Sequence, residues 1–146
     1  MDIGSLDRFV QAQESNYDTA LREIKNGRKK SHWMWYIFPQ LRGLGKSDRA
    51  YFYGISDIEE AKAYLAHPLL SARLIEISEA LLNHEDVLIE FIFGYVDAMK
   101  LHSSMTLFAL ISEENSVFHQ VLDYFYEGEQ DESTLNILKK QLKDTE

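Results

Sequence analysis

The sequence contains no cysteine in its 146 residues. This absence excludes disulfides, thiolate metal ligands and cysteine nucleophiles, and it fits a reducing compartment. The N-terminus lacks a basic segment followed by an apolar one, and no apolar run approaches the ~20 residues that span a bilayer. We therefore expect a cytoplasmic protein that makes no membrane contact.

Positive charge is scarce overall, because 15 basic residues face 24 acidic ones and the net charge is −9. General nucleic-acid binding needs a dominant positive field, so we do not expect it. The length and a hydrophobic content of 45% predict one globular domain over residues 1–146 with a substantial core. The oligomeric state stays open.

Helical periodicity runs through most of the chain and predicts an all-α fold of roughly seven to nine helices without a substantial sheet. Leu70, Leu74, Ile77 and Leu81 form one apolar stripe, and Gly27 is typical of a helix end. Side chains that cap helix N-termini mark the expected starts. These are Ser5, Asn16, Ser31, Ser47, Asp57, Asn115 or Ser116, and Asp131 or Ser133.

The positive charge that is present is concentrated in the window 22–49, which carries eight of the 15 basic residues and only two acids. Both tryptophans, Trp33 and Trp35, lie between its basic clusters. Basic groups around aromatic rings suit an anionic, planar ligand such as a nucleotide, because cations bind phosphate while rings offer stacking area. The alternative is that the aromatics are core residues beside a solvated basic loop.

The segment 95–111 has apolar residues around its whole helical circumference, which predicts a central helix. Asp97, Lys100 and Ser104 lie on one face of it at helical spacing. A buried charge is costly unless it is paired. Asp97 and Lys100 therefore either satisfy one another as a structural ion pair or line a polar cavity.

Several motifs resemble those of the DUF1810 family, small proteins of uncharacterised function. The most specific motif is HWMWYIFPQL at 32–41, and the matching segments are 9–13, 17–45, 60–74, 93–108 and 131–135. The resemblance implies an all-α fold and specifies no activity. Some family members are labelled calpastatin, a calpain inhibitor, but calpastatins are largely disordered and this chain is rich in core residues. We do not apply that label.

The sequence contains no short motif of a metal site, a GxSxG hydrolase, a Walker loop or a dinucleotide-binding loop. We predict no metal site and leave the cofactor and the question of catalysis open. Ser103, Ser104 and His32 would need to meet in space to act as nucleophile and base. His32 and Asp97 are the candidate acid or base.

Our leading hypothesis is a small-molecule site for an anionic or nucleotide-like ligand, built where the segment 29–40 meets the helix that carries Asp97. The alternative is a protein-interaction module in which the same aromatics form an exposed patch rimmed by basic residues. The candidate binding residues are Gln13, Arg28, Lys29, Lys30, His32, Trp33, Trp35, Gln40, Asp97, Lys100 and Ser104.

Overall fold

A computed structural model describes residues 5–84 and 86–144 and confirms the all-α prediction. The helices of these residues are α1 (Asp7–Lys25), α2 (Met34–Ile37), α3 (Asp48–Phe52), α4 (Ile58–Ala66), α5 (Pro68–Leu81), α6 (Ile89–Phe93), α7 (Tyr95–Leu110), α8 (Val117–Tyr126) and α9 (Glu132–Asp144). Extended pairing in this part of the chain is limited to one isolated bridge between Leu41 and Ile55. None of these helices is both long enough and apolar enough to cross a membrane.

One helix, α1, replaces the two that the sequence predicted on either side of Asn16. The predicted cap at Asn16 is wrong, because its side-chain amide donates to the carbonyl of Ala12, one turn back in the same helix. The buried face continues through this position, from Phe9 to Ile24. Gly27, with φ of 79°, follows the helix as predicted.

The capping predictions are confirmed at the helix starts where the side chain binds an N–H of the first helical turn. Ser47, Asp57 and Ser116 each accept a hydrogen bond from a backbone N–H three residues ahead. The predicted start at Ser31 is wrong, since α2 begins only at Met34. His67, which the sequence indicated as a capping or packing histidine rather than a catalytic one, accepts from the N–H of Leu70 at the start of α5.

The core forms where α1 packs on α5 and α7 packs on α8. The α5 stripe from Leu70 to Leu81 is buried as predicted. The central position of α7 is confirmed for its second half, where Leu101 and residues 103–109 are buried. Its first turns depart from the prediction, because Tyr95, Val96 and Met99 are exposed.

Candidate functional site

The loop that joins α1 to α2 is held by the carboxylate of Glu23, one of the two acids in the basic window. It accepts from the backbone N–H groups of Lys30 (2.7 Å) and Ser31 (2.9 Å), the Ser31 hydroxyl (2.6 Å) and Trp33 Nε1 (3.0 Å). Burial raises the pKa of the Glu23 carboxyl, but these four hydrogen bonds lower it more, to about 2. The carboxylate is therefore ionised whenever the loop is folded at neutral pH.

These hydrogen bonds of Glu23 hold Trp33 in the core. Its side chain is only 1% exposed, and its ring packs against Phe38 and Phe93. A ligand cannot stack on a ring that is already covered, so the stacking role predicted for Trp33 does not fit its position. The core alternative describes this residue.

Asp97 joins the basic window to α7. Its Oδ2 lies 2.9 Å from Lys29 Nζ, and its Oδ1 lies 3.7 Å from Lys100 Nζ. Lys29 is otherwise tied down, because its ammonium donates to the carbonyl of Ser31 and its backbone N–H donates to that of Ile92. Asp97 and Lys100 are mostly buried and close, as the sequence predicted, but Lys29 is the nearer partner of the carboxylate.

Trp35 supports the second lysine. The ammonium of Lys100 lies 5.1 Å from the Trp35 ring centre, and the guanidinium of Arg49 lies at the same distance. Both are within the range of cation–π attraction. Trp35 is half-buried and thus positions cations at this point of the structure.

A cavity of about 270 Å³ opens beside Lys100. Its polar lining comes from three segments of the chain that are far apart in sequence, and its apolar lining comes from Leu44, Val96 and Met99. The remaining lining residues are Gln40, Gly45, Lys100, His102, Ser103, Asp131 and Ser133. Gln40 and Lys100, predicted from separate segments, thus share one concavity.

The far side of this cavity is built around the cap of α9. Asp131 Oδ2 accepts from the Ser103 hydroxyl (2.9 Å), the Thr134 hydroxyl (2.6 Å) and the Thr134 backbone N–H (3.1 Å). These donors spread the negative charge of Asp131 over fixed hydrogen bonds. The Ser103 hydroxyl is thus oriented by an acceptor, not by a histidine base.

His102 is fixed at the same wall. Its ring stacks on Tyr126 with centres 4.2 Å apart, and its Nε2 lies 2.7 Å from the carbonyl oxygen of Glu129. Burial raises the pKa of the Tyr126 hydroxyl, and the nearby Glu90 carboxylate raises it further. That hydroxyl donates to the Ala98 carbonyl and holds α8 against α7.

Several predicted residues lie elsewhere. Gln13 is buried and donates to the Tyr36 carbonyl and the Tyr64 hydroxyl, which ties α1 to its neighbours. Ser104 is fully buried, and within the described part of the chain its hydroxyl has no hydrogen-bond partner. His32 is exposed and does not line the cavity.

Arg28 and Lys30 are also exposed and line a separate depression with Arg22, Glu23 and Asn26. No group of three or more acidic or histidine side chains in residues 5–84 and 86–144 is arranged to hold a metal ion.

Sequence reasoning missed most of the cavity wall. Val96, Lys100 and Ser103 follow one another at spacings of four and three residues, which places them on one face of α7. That spacing was readable, and Asp131 was already marked as a cap. The loop that covers this face supplies Leu44 and Gly45. The local sequence pattern did not indicate which loop would do so.

The geometry of the chain is shared with a solved protein. The crystal structure of the conserved hypothetical protein Rv1873 from Mycobacterium tuberculosis is similar, with a TM-score of 0.90 and 47% sequence identity over 94% of this chain and 99% of that one. No curated protein matches the sequence. The model of a protein of unknown function, DUF1810, matches residues 4–138. With nearly its whole length matched, this chain belongs to the DUF1810 family.

Proposed function

We propose that this protein binds a small anionic metabolite in the cavity beside Lys100. The observation that carries the proposal is that two ammonium groups share one carboxylate. Two ammonium groups and one carboxylate carry one net positive charge. Asp97 is 2.9 Å from Lys29 but 3.7 Å from Lys100, so Lys100 is the less strongly paired lysine, and it is Lys100 that lines the cavity. A cation removed from water is stabilised by a further anion.

The other walls favour a ligand with a polar edge and an apolar portion. The Gln40 amide and the Ser133 hydroxyl line the cavity together with Leu44, Val96 and Met99. Its volume of about 270 Å³ is slightly below the ~300–1,000 Å³ of drug-sized ligand sites. A phosphorylated or carboxylated metabolite with one ring is a better match than a dinucleotide.

Larger depressions are less suitable for an anion. A depression of about 420 Å³ between α5 and α8 is lined by two carboxylates, Glu76 and Glu79, against one cation, Lys25, and this excess of negative charge repels anions. The cavity at Lys100 has the carboxylate of Asp131 in its lining, which accepts three hydrogen bonds. The basic depression at Arg28 and Lys30 uses exposed side chains that water already solvates. The cavity at Lys100 combines a mostly buried cation with an apolar wall formed by Leu44, Val96 and Met99.

We assign binding and leave catalysis open. Asp97 is held between two lysines, and His32 lies outside the cavity, which weakens both as the acid or base of a reaction. The expected location is the cytoplasm, for which the lack of cysteine is the supporting observation.

A protein-interaction surface is the second candidate function, and the exposed apolar residues of α6 and the start of α7 favour it. Trp33 cannot belong to such a surface, because it is buried.

Isothermal titration calorimetry with inorganic phosphate, nucleoside monophosphates and sugar phosphates tests the anion site. We expect one of these anions to bind the wild-type protein and Lys100→Met to weaken that binding by roughly 10-fold or more, since a charge-assisted hydrogen bond is lost. Lys139→Met, on the exposed face of α9, is the matched control and should bind normally. Equal affinity in Lys100→Met and wild type would refute the site.

A further inference from the structure

Exposed apolar residues are concentrated in one stretch of the chain, from the turn before α6 into the first turns of α7. Of the twelve large hydrophobic side chains that are exposed in the described residues, six fall between positions 87 and 99. We call this set the apolar corner. It consists of Val87, Leu88, Phe91, Tyr95, Val96 and Met99, with Phe91 and Tyr95 each 72% exposed.

The backbone explains why the corner faces outward. Helix α6 has only five residues and ends at Gly94, whose φ of 80° lets the chain turn directly into α7. A Cβ placed on Gly94 would meet no atom within 4 Å, so no element of the described chain covers the turn. The inner residues Ile92 and Phe93 enter the core, and the outer residues are left without a partner.

The exposed apolar area of the corner is larger than that of single hydrophobic residues scattered over a surface. At 72% exposure, Phe91 and Tyr95 alone present on the order of 250 Å², given ~150–250 Å² for an aromatic side chain. The largest apolar patch of a typical monomer is about 300–600 Å², and such patches often mark interaction sites. With its four other members, the exposed apolar area of the corner falls within this range of about 300–600 Å². A standard interface buries a somewhat larger area, ~800 Å² per partner.

The charges beside the corner are of both signs. Arg28 and Glu90 line the same depression as Phe91 and Gly94, and both are exposed. The ion pairs of the described residues include neither of them. An unpaired cation and an unpaired anion thus flank one apolar surface.

We propose that the apolar corner is the interface of a homodimer with two-fold symmetry, in which Arg28 of each copy faces Glu90 of the other. Across a two-fold axis, a contact between one residue of the first copy and a different residue of the second copy occurs a second time with the copies exchanged. A surface with one unpaired charge of each sign is therefore complementary to itself. Both ion pairs then flank an apolar centre, which is the usual arrangement of an interface.

Other occupants match these charges less well. An anionic lipid surface or an acidic peptide would place negative charge against Glu90, which is exposed beside Phe91. A basic partner would meet Arg28 and the net positive trio of Lys29, Asp97 and Lys100. A second copy satisfies both rim charges at once.

Sedimentation analysis over a roughly hundredfold range of protein concentration tests the dimer, because association follows mass action. We expect a monomer–dimer equilibrium that Phe91→Ser and Tyr95→Ser each weaken by roughly 10-fold or more. Ile75→Ser removes a side chain that is 40% exposed on α5 and should leave the dimer intact. Circular dichroism checks that each variant is folded.

Charge reversal then tests the symmetry. Arg28→Glu and Glu90→Arg should each weaken the dimer by roughly 10-fold, because each creates two like-charge contacts per dimer, and the double variant should restore it. Arg28, Phe91 and Tyr95 do not line the cavity at Lys100, whereas Val96 and Met99 line it and also belong to the apolar corner. These variants therefore leave the cavity lining unchanged, and sedimentation without ligand tests the dimer separately from anion binding. A wild-type protein that stays monomeric throughout, or a dimer that is unaffected by Phe91→Ser, would overturn the proposal. Failure of the double variant to recover would overturn the two-fold pairing.

Discussion

Replacing Glu23 with glutamine isolates the electrostatic contribution of one buried carboxylate to stability. Glu23 is 8% exposed and accepts four hydrogen bonds from the loop before α2. These bonds take its pKa from an ordinary 4.5 to about 2, against the effect of burial. At 1.36 kcal/mol for each pKa unit, the ionised carboxylate contributes about 3 kcal/mol to stability at neutral pH.

The sign of the pH dependence follows from the direction of this shift. Because the folded-state pKa is the lower one, the contribution is fully present above the unfolded value of 4.5 and disappears as pH falls toward 2. Linkage predicts that about 2 kcal/mol of it is gone at about pH 3. Below about pH 2, where the folded-state carboxyl is itself mostly protonated, the neutral acid and the glutamine amide are nearly equivalent.

Urea unfolding of the wild type and Glu23→Gln at several pH values measures this contribution. We expect a difference of about 3 kcal/mol near pH 7 that narrows steadily below about pH 5. Other carboxylates are common to both proteins and cancel in the difference. Glu14→Gln, on the exposed face of α1, should change stability by less than about 0.5 kcal/mol at every pH. A difference between wild type and Glu23→Gln that does not depend on pH would refute the assignment.

Three further changes have defined outcomes. Arg8 is fully buried and its guanidinium lies 2.9 Å from Glu60, so Arg8→Met should cost about 3–5 kcal/mol in urea unfolding by leaving a carboxylate unpaired. A Cβ on Gly45 would lie 2.5 Å from that of Ala50, so Gly45→Ala should lower stability by about 1–3 kcal/mol, seen as a lower melting temperature. Asp97→Asn removes the shared anion and should strengthen phosphate binding by calorimetry; weaker binding in a folded variant would contradict the charge argument.

Local signals in the sequence were sufficient for most of the fold. The caps at Ser47, Asp57 and Ser116 were readable because the side chain and the N–H that it binds are three residues apart. The prediction at Asn16 was wrong for the same local reason. It has the chemistry of a cap, but tertiary burial of the face around it kept the helix continuous.

The candidate site was less accessible, because its interactions join distant segments. The sequence indicated that the basic window and α7 share a site, and it supplied Asp97 and Lys100 as a pair. It did not show that Lys29 is the nearer partner of Asp97. Glu23 was overlooked, although an acid that is one of only two in a basic window was a readable sign of a buried acceptor.

We expect stability and the proposed anion binding to be connected through the loop that Glu23 holds. On one side Glu23 fixes the backbone at Lys30 and Ser31, and on the other Lys29 reaches Asp97 at 2.9 Å. If the loop is released, Asp97 becomes available to Lys100, and the net positive charge at the cavity falls. Glu23→Gln should therefore lower both the unfolding free energy and the affinity for anions, whereas Lys100→Met lowers affinity alone. That contrast distinguishes Lys100, which is proposed to contact the anion, from Glu23, which is proposed to act indirectly by holding the loop that carries Lys29.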